Sequence, residues 1–225
     1  MARGKKYKDI SSKLEKGEAY SIEEALEFIK ENKAAKFDES VEVHIRLNVN
    51  PKKGEEQARG AVVLPHGTGK TKKIAVITST KEREAKEAGA DLVGGEDLIE
   101  KIKSGKIDFD ILVATPEMML KLAPVAKIMG PKGLMPSPKT ETVTEKIKET
   151  VETLKKGKVS FKNDNTSNIH QIIGKVSFGS EKLKENFDAF TEAVKKSKPD
   201  AVKGKFIAGV SVCSTMGVGI RIGSL

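Results

Sequence analysis

Between Ser40 and Asn50 the chain reads SVEVHIRLNVN, and apolar and polar side chains alternate without a break. Val41, Val43, Ile45, Leu47 and Val49 fall on one face, and Glu42, His44, Arg46 and Asn48 on the other. A period of two marks a half-buried strand. Just upstream, SIEEALEFIKEN (21–32) has a different rhythm: Ile22, Leu26 and Ile29 recur at helical spacing. Ser21 with Glu24 three positions on forms a capping box that starts this helix. GAVVLP (60–65) reads as a second strand, ended by Pro65.

From Ile74 the texture changes. IAVITS leads into a helix, TKEREAKEAGAD, stopped by Gly89. GGEDLIEKIKSG is a second helix, with Leu98 and Ile102 four apart, and FDILVAT is a continuously apolar strand. Pro116 opens a helix running to Gly130; beyond the loop GPKGLMPSPK, Val143, Ile147, Val151 and Leu154 mark one face of a long helix ending near Gly157. Strands that are apolar throughout and joined by helices predict a parallel sheet covered on both faces.

At Val159 the first texture returns. KVSFKND and IHQIIGKVSF alternate as strands. SEKLKENFDAFTEAVKKS carries Leu183, Phe187, Phe190 and Val194 on one helical stripe, and GKFIAGVSVCSTMGVGIRIG supplies the closing strands. The organisation predicted is a discontinuous α+β domain, residues 1–66 and 159–225, with a parallel α/β domain, 67–158, inserted into it. The chain crosses between them twice, near Gly67–Thr71 and near Gly157–Lys158. Gly67, Gly69 and Gly157 make these crossings a candidate two-strand hinge, because glycine absorbs φ/ψ changes cheaply.

One crossing, LPHGTGKTKK (64–73), resembles the phosphate cradle of a nucleotide-using enzyme. The full pattern needs a glycine five residues before the Gly-Lys pair, and Leu64 stands there. A phosphate loop must also open a helix, whose N-terminal amides receive the anion. Here the β-branched run Ile74–Ile77 follows instead, so the segment reads as a connector. VITSTKERE lacks the glycine-rich turn that pyrophosphate needs, and STMGVGIR contains G-x-G with no helix after it. No G-x-S-x-G or H-E-x-x-H pattern occurs. No catalytic residues and no cofactor are assigned.

Composition narrows the partner. The 225 residues carry 41 basic and 32 acidic side chains, a net charge of +9, which favours a polyanion. Aromatic content of 4% with no Trp supplies too few rings for a stacking platform along single strands. A folded RNA, read by shape, phosphates and 2′-hydroxyls, fits better. Charge does not localise the site: 18 basic and 14 acidic residues fall in 67–158 and 23 and 18 outside it, excesses of +4 and +5. No apolar run approaches a membrane span, and MARGKKYKD has no apolar stretch behind it to make a secretory signal. Cys213, alone, forms no internal disulfide and fits a reducing cytoplasm, where it is expected to be a small buried thiol. With three scattered histidines, His44, His66 and His170, no metal site is expected.

Five stretches together carry a resemblance: AKFDESVEVHIRLNV, RGAVVLPHGTGK, IMGPKGLMPSPKTETV, KNDNTSNIHQIIGKVSF and STMGVGIRI. In order and spacing, over essentially the whole chain, the sequence resembles the bacterial form of the ribosomal L-one family, the stalk proteins of the large subunit. The resemblance implies a split α+β domain, an inserted Rossmann-like parallel α/β domain and a hinge between them. It implies a cytoplasmic, ribosomal protein without enzymatic activity, free as a monomer and not bound to membrane. Its partners would be folded large-subunit rRNA, a similar structure in its own operon mRNA, whose translation it would repress, and transiently the exit-site tRNA.

Carried over by position, Thr215, Met216 and Gly217 match the family's RNA-contacting turn; a plain β-turn is the alternative. Phe37 matches an aromatic that packs on RNA; a core anchor at the start of a strand is its rival. Ser40 stands where the family more often has Thr, keeping a hydroxyl, and Glu42 follows. Lys36, Lys162, Asp164, His170 and Lys175 are expected to flank or line the contact surface. The loop from Gly130 to Lys139, charged by Lys132 and Lys139, has two open roles: structure within the inserted domain, or contact with exit-site tRNA. Two other classes stay in play: a nucleotide-using enzyme, and a general basic RNA chaperone with no preference for shape.

Overall fold

The computed structural model describes residues 4–15, 17–33, 35–79 and 81–223; the side chain of Lys139 lies outside the described residues. In chain order come helices α1 (Lys5–Ser12) and α2 (Ile22–Glu31), strands β1 (Ser40–Leu47), β2 (Arg59–Val63) and β3 (Ile74–Ile77), and helix α3 (Glu82–Glu87). Strand β4 (Leu92–Gly94), helix α4 (Glu96–Lys103), strand β5 (Ile111–Ala114) and helices α5 (Met119–Leu122), α6 (Ala126–Met129) and α7 (Ile147–Lys155) follow. Strands β6 (Lys158–Lys162) and β7 (Asn168–Lys175), helix α8 (Ser180–Lys196) and strands β8 (Ile207–Ser214) and β9 (Ile220–Ile222) complete the chain.

The chain divides into two compact units, residues 1–69 with 159–225, and residues 70–158. In the first, a four-stranded sheet runs in the order β7-β1-β8-β9, and β2 pairs with β6 in a separate two-stranded sheet. The alternation of β1 explains the arrangement. Val41, Val43, Ile45 and Leu47 are buried, joining Leu26 and Ile29 of α2 and Leu183, Phe187, Phe190 and Val194 of α8 in one core. Phe161 of β6 meets the Phe190 ring edge-on, centroids 5.6 Å apart. The capping box that opens α2 is formed: the Glu24 amide donates to Ser21 Oγ at 3.2 Å and the Ser21 amide to Glu24 Oε2 at 2.9 Å.

The second unit holds a three-stranded parallel sheet in the order β4-β3-β5. Successive residues of β3 feed opposite cores. Ala75 and Ile77 pack with α4 and the 118–129 segment, and Ile74 and Val76 with Ala85 of α3 and Ile147, Val151 and Leu154 of α7. This is why the strand is apolar throughout.

Several sequence expectations change. The helix from Pro116 breaks into 3₁₀ turns at Pro116–Met118 and Ala123–Val125 around the short α5 and α6, because Pro124 removes a backbone donor in mid-helix. The long helix does not include Val143. The amide of Ala114 donates to the Thr142 carbonyl at 3.0 Å and the Thr144 amide to the Ala114 carbonyl at 3.1 Å, so this β-branched stretch extends the sheet edge and α7 starts at Ile147. Strand β4 and helix α1, both short, carry no periodic signal long enough to read. The compact units divide between Gly69 and Lys70. Buried Asn186 of α8 holds this segment, accepting from the His66 amide at 3.0 Å and donating to the Gly67 carbonyl at 3.0 Å.

The first core depends on few aromatic rings, so its loss on truncation should be large. Phe190→Ala is expected to destabilise the protein by about 3–5 kcal/mol, measured by urea denaturation followed through a probe in the first unit. A loss under about 1 kcal/mol would contradict the packing described.

Candidate nucleic-acid interface

The end of the four-stranded sheet is organised by a buried acid. Val41 of β1 pairs with Ser214 of β8, and beyond that pair the two backbones stay tied. The Thr215 amide donates to the Ser40 carbonyl at 3.0 Å, and the Ser40 amide donates to Thr215 Oγ1 at 3.0 Å. Glu39 is 1% exposed. Its carboxyl oxygens accept from the amides of Ala35 at 2.7 Å and Met216 at 3.2 Å, so one side chain holds the 35–39 loop and the 214–217 turn together. Asp38 adds a second tie, accepting from the Ser177 amide at 3.2 Å and Ser177 Oγ at 2.8 Å.

On this pinned backbone two large apolar side chains stand in solvent. Phe37 is 56% exposed and Met216 is 58% exposed. The core-anchor reading of Phe37 is therefore excluded. Exposed apolar groups on a rigid turn lose little entropy when covered, which suits them to packing against a partner. The Gly217 amide closes the turn onto the Ser214 carbonyl at 3.0 Å, and a Cβ at this position would force Ser214 Oγ to move aside. Beside it a groove of about 420 Å³ is lined by Gly4, Lys6 and Tyr7, the last two on α1, with Ala35, Thr215, Met216 and Gly217.

Some carried-over residues also hold the site together. Thr215 Oγ1 donates back to the Ser40 carbonyl at 3.3 Å, so its hydroxyl serves first to join β1 to the turn. Ser40 is buried, and Lys175 Nζ donates to Ser40 Oγ at 3.1 Å and to the Asp38 carbonyl at 3.2 Å. Lys36 is exposed next to Phe37. Lys162 is exposed at the end of β6, on the two-stranded sheet, and does not share the four-stranded surface.

The outer face of the four-stranded sheet carries the residues that alternate with the core set. Glu42 and His44 lie on β1, with Cys213 opposite Glu42 on β8 and His170 opposite His44 on β7. The histidines are not scattered, as their sequence separation suggests. Antiparallel pairing places His44 Nδ1 2.7 Å from His170 Nδ1, the rings meeting edge-on. Cys213 is half-buried on this face rather than in the core, because its partner positions are the polar half of the β1 alternation. Burial, then the charge of His170, lowers the pKa of His44 against the opposing pull of Glu42. Burial, then Glu42, pushes the Cys213 thiol up.

Asp164 sits in the turn before β7. It accepts from Thr166 Oγ1 at 2.6 Å, the Asn168 amide at 2.8 Å and the Thr166 amide at 2.8 Å, and faces His170 Nε2 at 3.5 Å. These bonds, the Thr166 hydroxyl foremost, lower its pKa from 3.8 to about 2.

Elsewhere, the chain between Gly67 and Lys73 forms no helix and leads straight into β3, so it cannot act as a phosphate loop. Gly67, Gly69 and Gly157 all have positive φ. At Gly69 a side chain is also excluded by space, since a Cβ would lie 2.9 Å from Lys175 Cγ and 3.0 Å from the Phe178 ring. In the 130–139 loop, Pro136 is buried, Leu134 and Met135 pack on the second unit's core, and the Ser137 amide donates to Thr142 Oγ1 at 2.8 Å. That gives the loop a structural role. Among the described residues no helix is long and apolar enough to cross a membrane.

Sequence reasoning does not single out Glu39 or the α1 residues Lys6 and Tyr7, and it reads His44 as a surface residue of a strand and Cys213 as a small buried thiol. An acid at the start of a strand is ordinarily a solvated residue, and nothing in the local pattern announces burial. For His44 the signal was available: two histidines at mid-strand on neighbouring strands.

Residues 29–218 match the ribosomal protein L1p/L10e family. The chain belongs to this family. It is 52% identical over 219 residues to the large ribosomal subunit protein uL1 of Mycoplasma capricolum, spanning 97% of each chain. It is 49% identical over 221 residues to the uL1 protein of Kosmotoga olearia, 98% of this chain and 96% of the other. Family membership makes it a ribosomal protein, structural and not enzymatic.

Two outcomes follow from the site's bonding. Glu39→Ala orphans the Ala35 and Met216 amides and should cost about 1–3 kcal/mol for each that finds no acceptor, with hydrogen exchange accelerated at both. Unchanged exchange at Met216 would remove Glu39 from its organising role. Asp164, with its pKa depressed on folding, contributes stability fully above pH 3.8 and loses it as pH falls through about 2. Asp164→Asn should therefore be less stable than wild type at neutral pH, and the two should converge in acid; a difference independent of pH would contradict the bonding described.

Proposed function

We propose that the protein is a structural constituent of the large ribosomal subunit in the cytoplasm, and that its first unit binds folded large-subunit rRNA. The observation that carries this reading is the pair of solvent-exposed apolar side chains, Phe37 and Met216, on backbone pinned by buried Glu39. RNA recognised by shape needs apolar groups to pack on sugars and bases, and backbone or hydroxyls to meet 2′-OH groups. Phe37, Met216 and Gly217 provide the first contacts. Ser40, Thr215 and Lys175 set the turn, and Lys36, Glu42 and His170 extend the surface. Asp164 acts through His170, and Lys162 is a peripheral charge.

The second unit is a Rossmann-like insert, and the crossings at Gly67–Gly69 and Gly157 act as a hinge. Bound through the first unit alone, the protein would form a mobile stalk near the tRNA exit site. The second unit, with its 130–139 loop, would meet exit-site tRNA transiently. The same contact surface would bind a similar fold in the protein's own mRNA and repress its translation. The protein is a monomer when free.

The test is a salt-titrated binding assay of wild type, Phe37→Ala and Met216→Ala against a folded stalk fragment of large-subunit rRNA and a scrambled RNA of equal length. Both changes remove exposed groups and leave the core intact. Each is expected to weaken stalk binding at least tenfold while leaving the salt slope unchanged, since neither side chain neutralises a phosphate. Equal affinity for the two RNAs, insensitive to both substitutions, would reduce the protein to a general basic RNA chaperone.

A further inference from the structure

The outer face of the four-stranded sheet brings together three different ligand types, of which Glu42 also belongs to the proposed RNA surface while His44 and Cys213 have no part in it. One ligand atom each from Glu42, His44 and Cys213 lies within 4.8 Å of the others. The register makes this inevitable. Glu42 and His44 are two apart on β1 and so point the same way, and Cys213 is the partner of Glu42 across the β8 ladder. His44 Nε2 stands 3.2 Å from Cys213 Sγ.

The proton arrangement behind His44 follows from its neighbours. Two Nδ1 atoms 2.7 Å apart can share only one proton between neutral rings. Asp164 Oδ2 lies 3.5 Å from His170 Nε2, and a carboxylate there favours the tautomer of His170 with its proton on Nε2. When His170 is neutral in this tautomer its Nδ1 accepts from His44 Nδ1–H, whereas a protonated His170 donates to His44 Nδ1 instead. In the neutral pair His44 Nε2 is left as a bare lone pair, 3.2 Å from the Cys213 thiol. A metal-ligating histidine ordinarily has this support, its second nitrogen donating to an outer partner that fixes the tautomer and orientation. Here the support runs from Asp164 through His170 to His44.

We infer that Glu42, His44 and Cys213 form a binding site for a thiophilic divalent cation, zinc above all. A thiolate with an imidazole selects zinc over magnesium or calcium, and a carboxylate completes three protein ligands with a fourth position open to water. Tetrahedral zinc with Zn–N of about 2.0 Å and Zn–S of about 2.3 Å sets its nitrogen and sulfur roughly 3.5 Å apart. The 3.2 Å separation in the protein needs only a few tenths of an ångström of opening. Binding exchanges the Cys213 thiol proton, released to solvent, for the metal, with no change of oxidation state. Half-burial of all three ligands leaves the ion a path from solvent.

Glu42 and His170 also belong to the proposed RNA surface, so the site is tested on RNA-free protein, where failure of metal binding and failure of the RNA reading are distinguishable. Full-length protein stripped with chelator is titrated with Co²⁺, which reports thiolate ligation by a charge-transfer band in the near ultraviolet and four-coordination by intense visible bands. One equivalent should produce both, and one equivalent of Zn²⁺ should abolish them. Cys213→Ser should lose the charge-transfer band, and His44→Gln should weaken cobalt binding at least tenfold. His170→Gln, which removes only the outer support, should weaken it by about 10–100-fold while keeping the same spectrum. Circular dichroism confirms that each variant is folded. No charge-transfer band with excess Co²⁺, or a spectrum unchanged in His44→Gln or Cys213→Ser, would overturn the assignment.

Discussion

Strand β1 has hydrogen-bonded neighbours on both sides, and its register fixes theirs. A slip of one residue would turn Val41, Val43, Ile45 and Leu47 to solvent and drive Glu42, His44 and Arg46 into the core against Phe187 and Phe190. The burial of charge that this entails forbids the alternative. One strand therefore determines where β7 and β8 lie, and so which of their side chains come together. The His44–His170 contact, the Glu42–Cys213 pairing and the tie between Ser40 and Thr215 are all consequences of that single register.

The same constraint explains which parts of the protein were legible in the sequence. Alternation in 40–50 and the apolar runs at 74–77 and 111–114 are strong signals, because each reports directly on burial of one face or both. The three parallel strands needed length and company to be seen: β4, with only Leu92–Gly94, offers neither. Helix α7 was read too long because Val143 falls in phase with Ile147, although its backbone bonds to Ala114. Periodicity cannot register a competition for backbone hydrogen bonds that is settled by a strand thirty residues away.

The site was legible only in outline. Phe37 and Met216 stood out by type and resemblance, but their exposure could not be read from the sequence. Glu39 carries no local signal, since its burial depends on the amide of Met216 from the far end of the chain as well as on that of nearby Ala35. Thr215 is exposed, and the bond from its hydroxyl to the Ser40 carbonyl is a second role that the sequence does not announce. Contacts of this kind arise from tertiary closure, and no local window contains both partners.

The distribution of charge around the turn bears on how an RNA could be recognised there. The chain is basic overall, yet the turn is built with acids, Asp38 and Glu39, and one of the lysines beside it, Lys175, is committed to the Asp38 carbonyl and Ser40 Oγ. A surface that meets phosphates directly would be arranged the other way, with free cations at the centre. The net charge of +9, shared almost evenly between the two units, instead supplies a diffuse attraction that raises encounter rates without choosing a partner. On the proposed reading, selection would fall to the uncharged elements on the rigid turn, the Phe37 ring, the Met216 thioether and the open backbone at Gly217. Their shape is fixed before binding, because Glu39 has already satisfied the amides that would otherwise be free to rearrange.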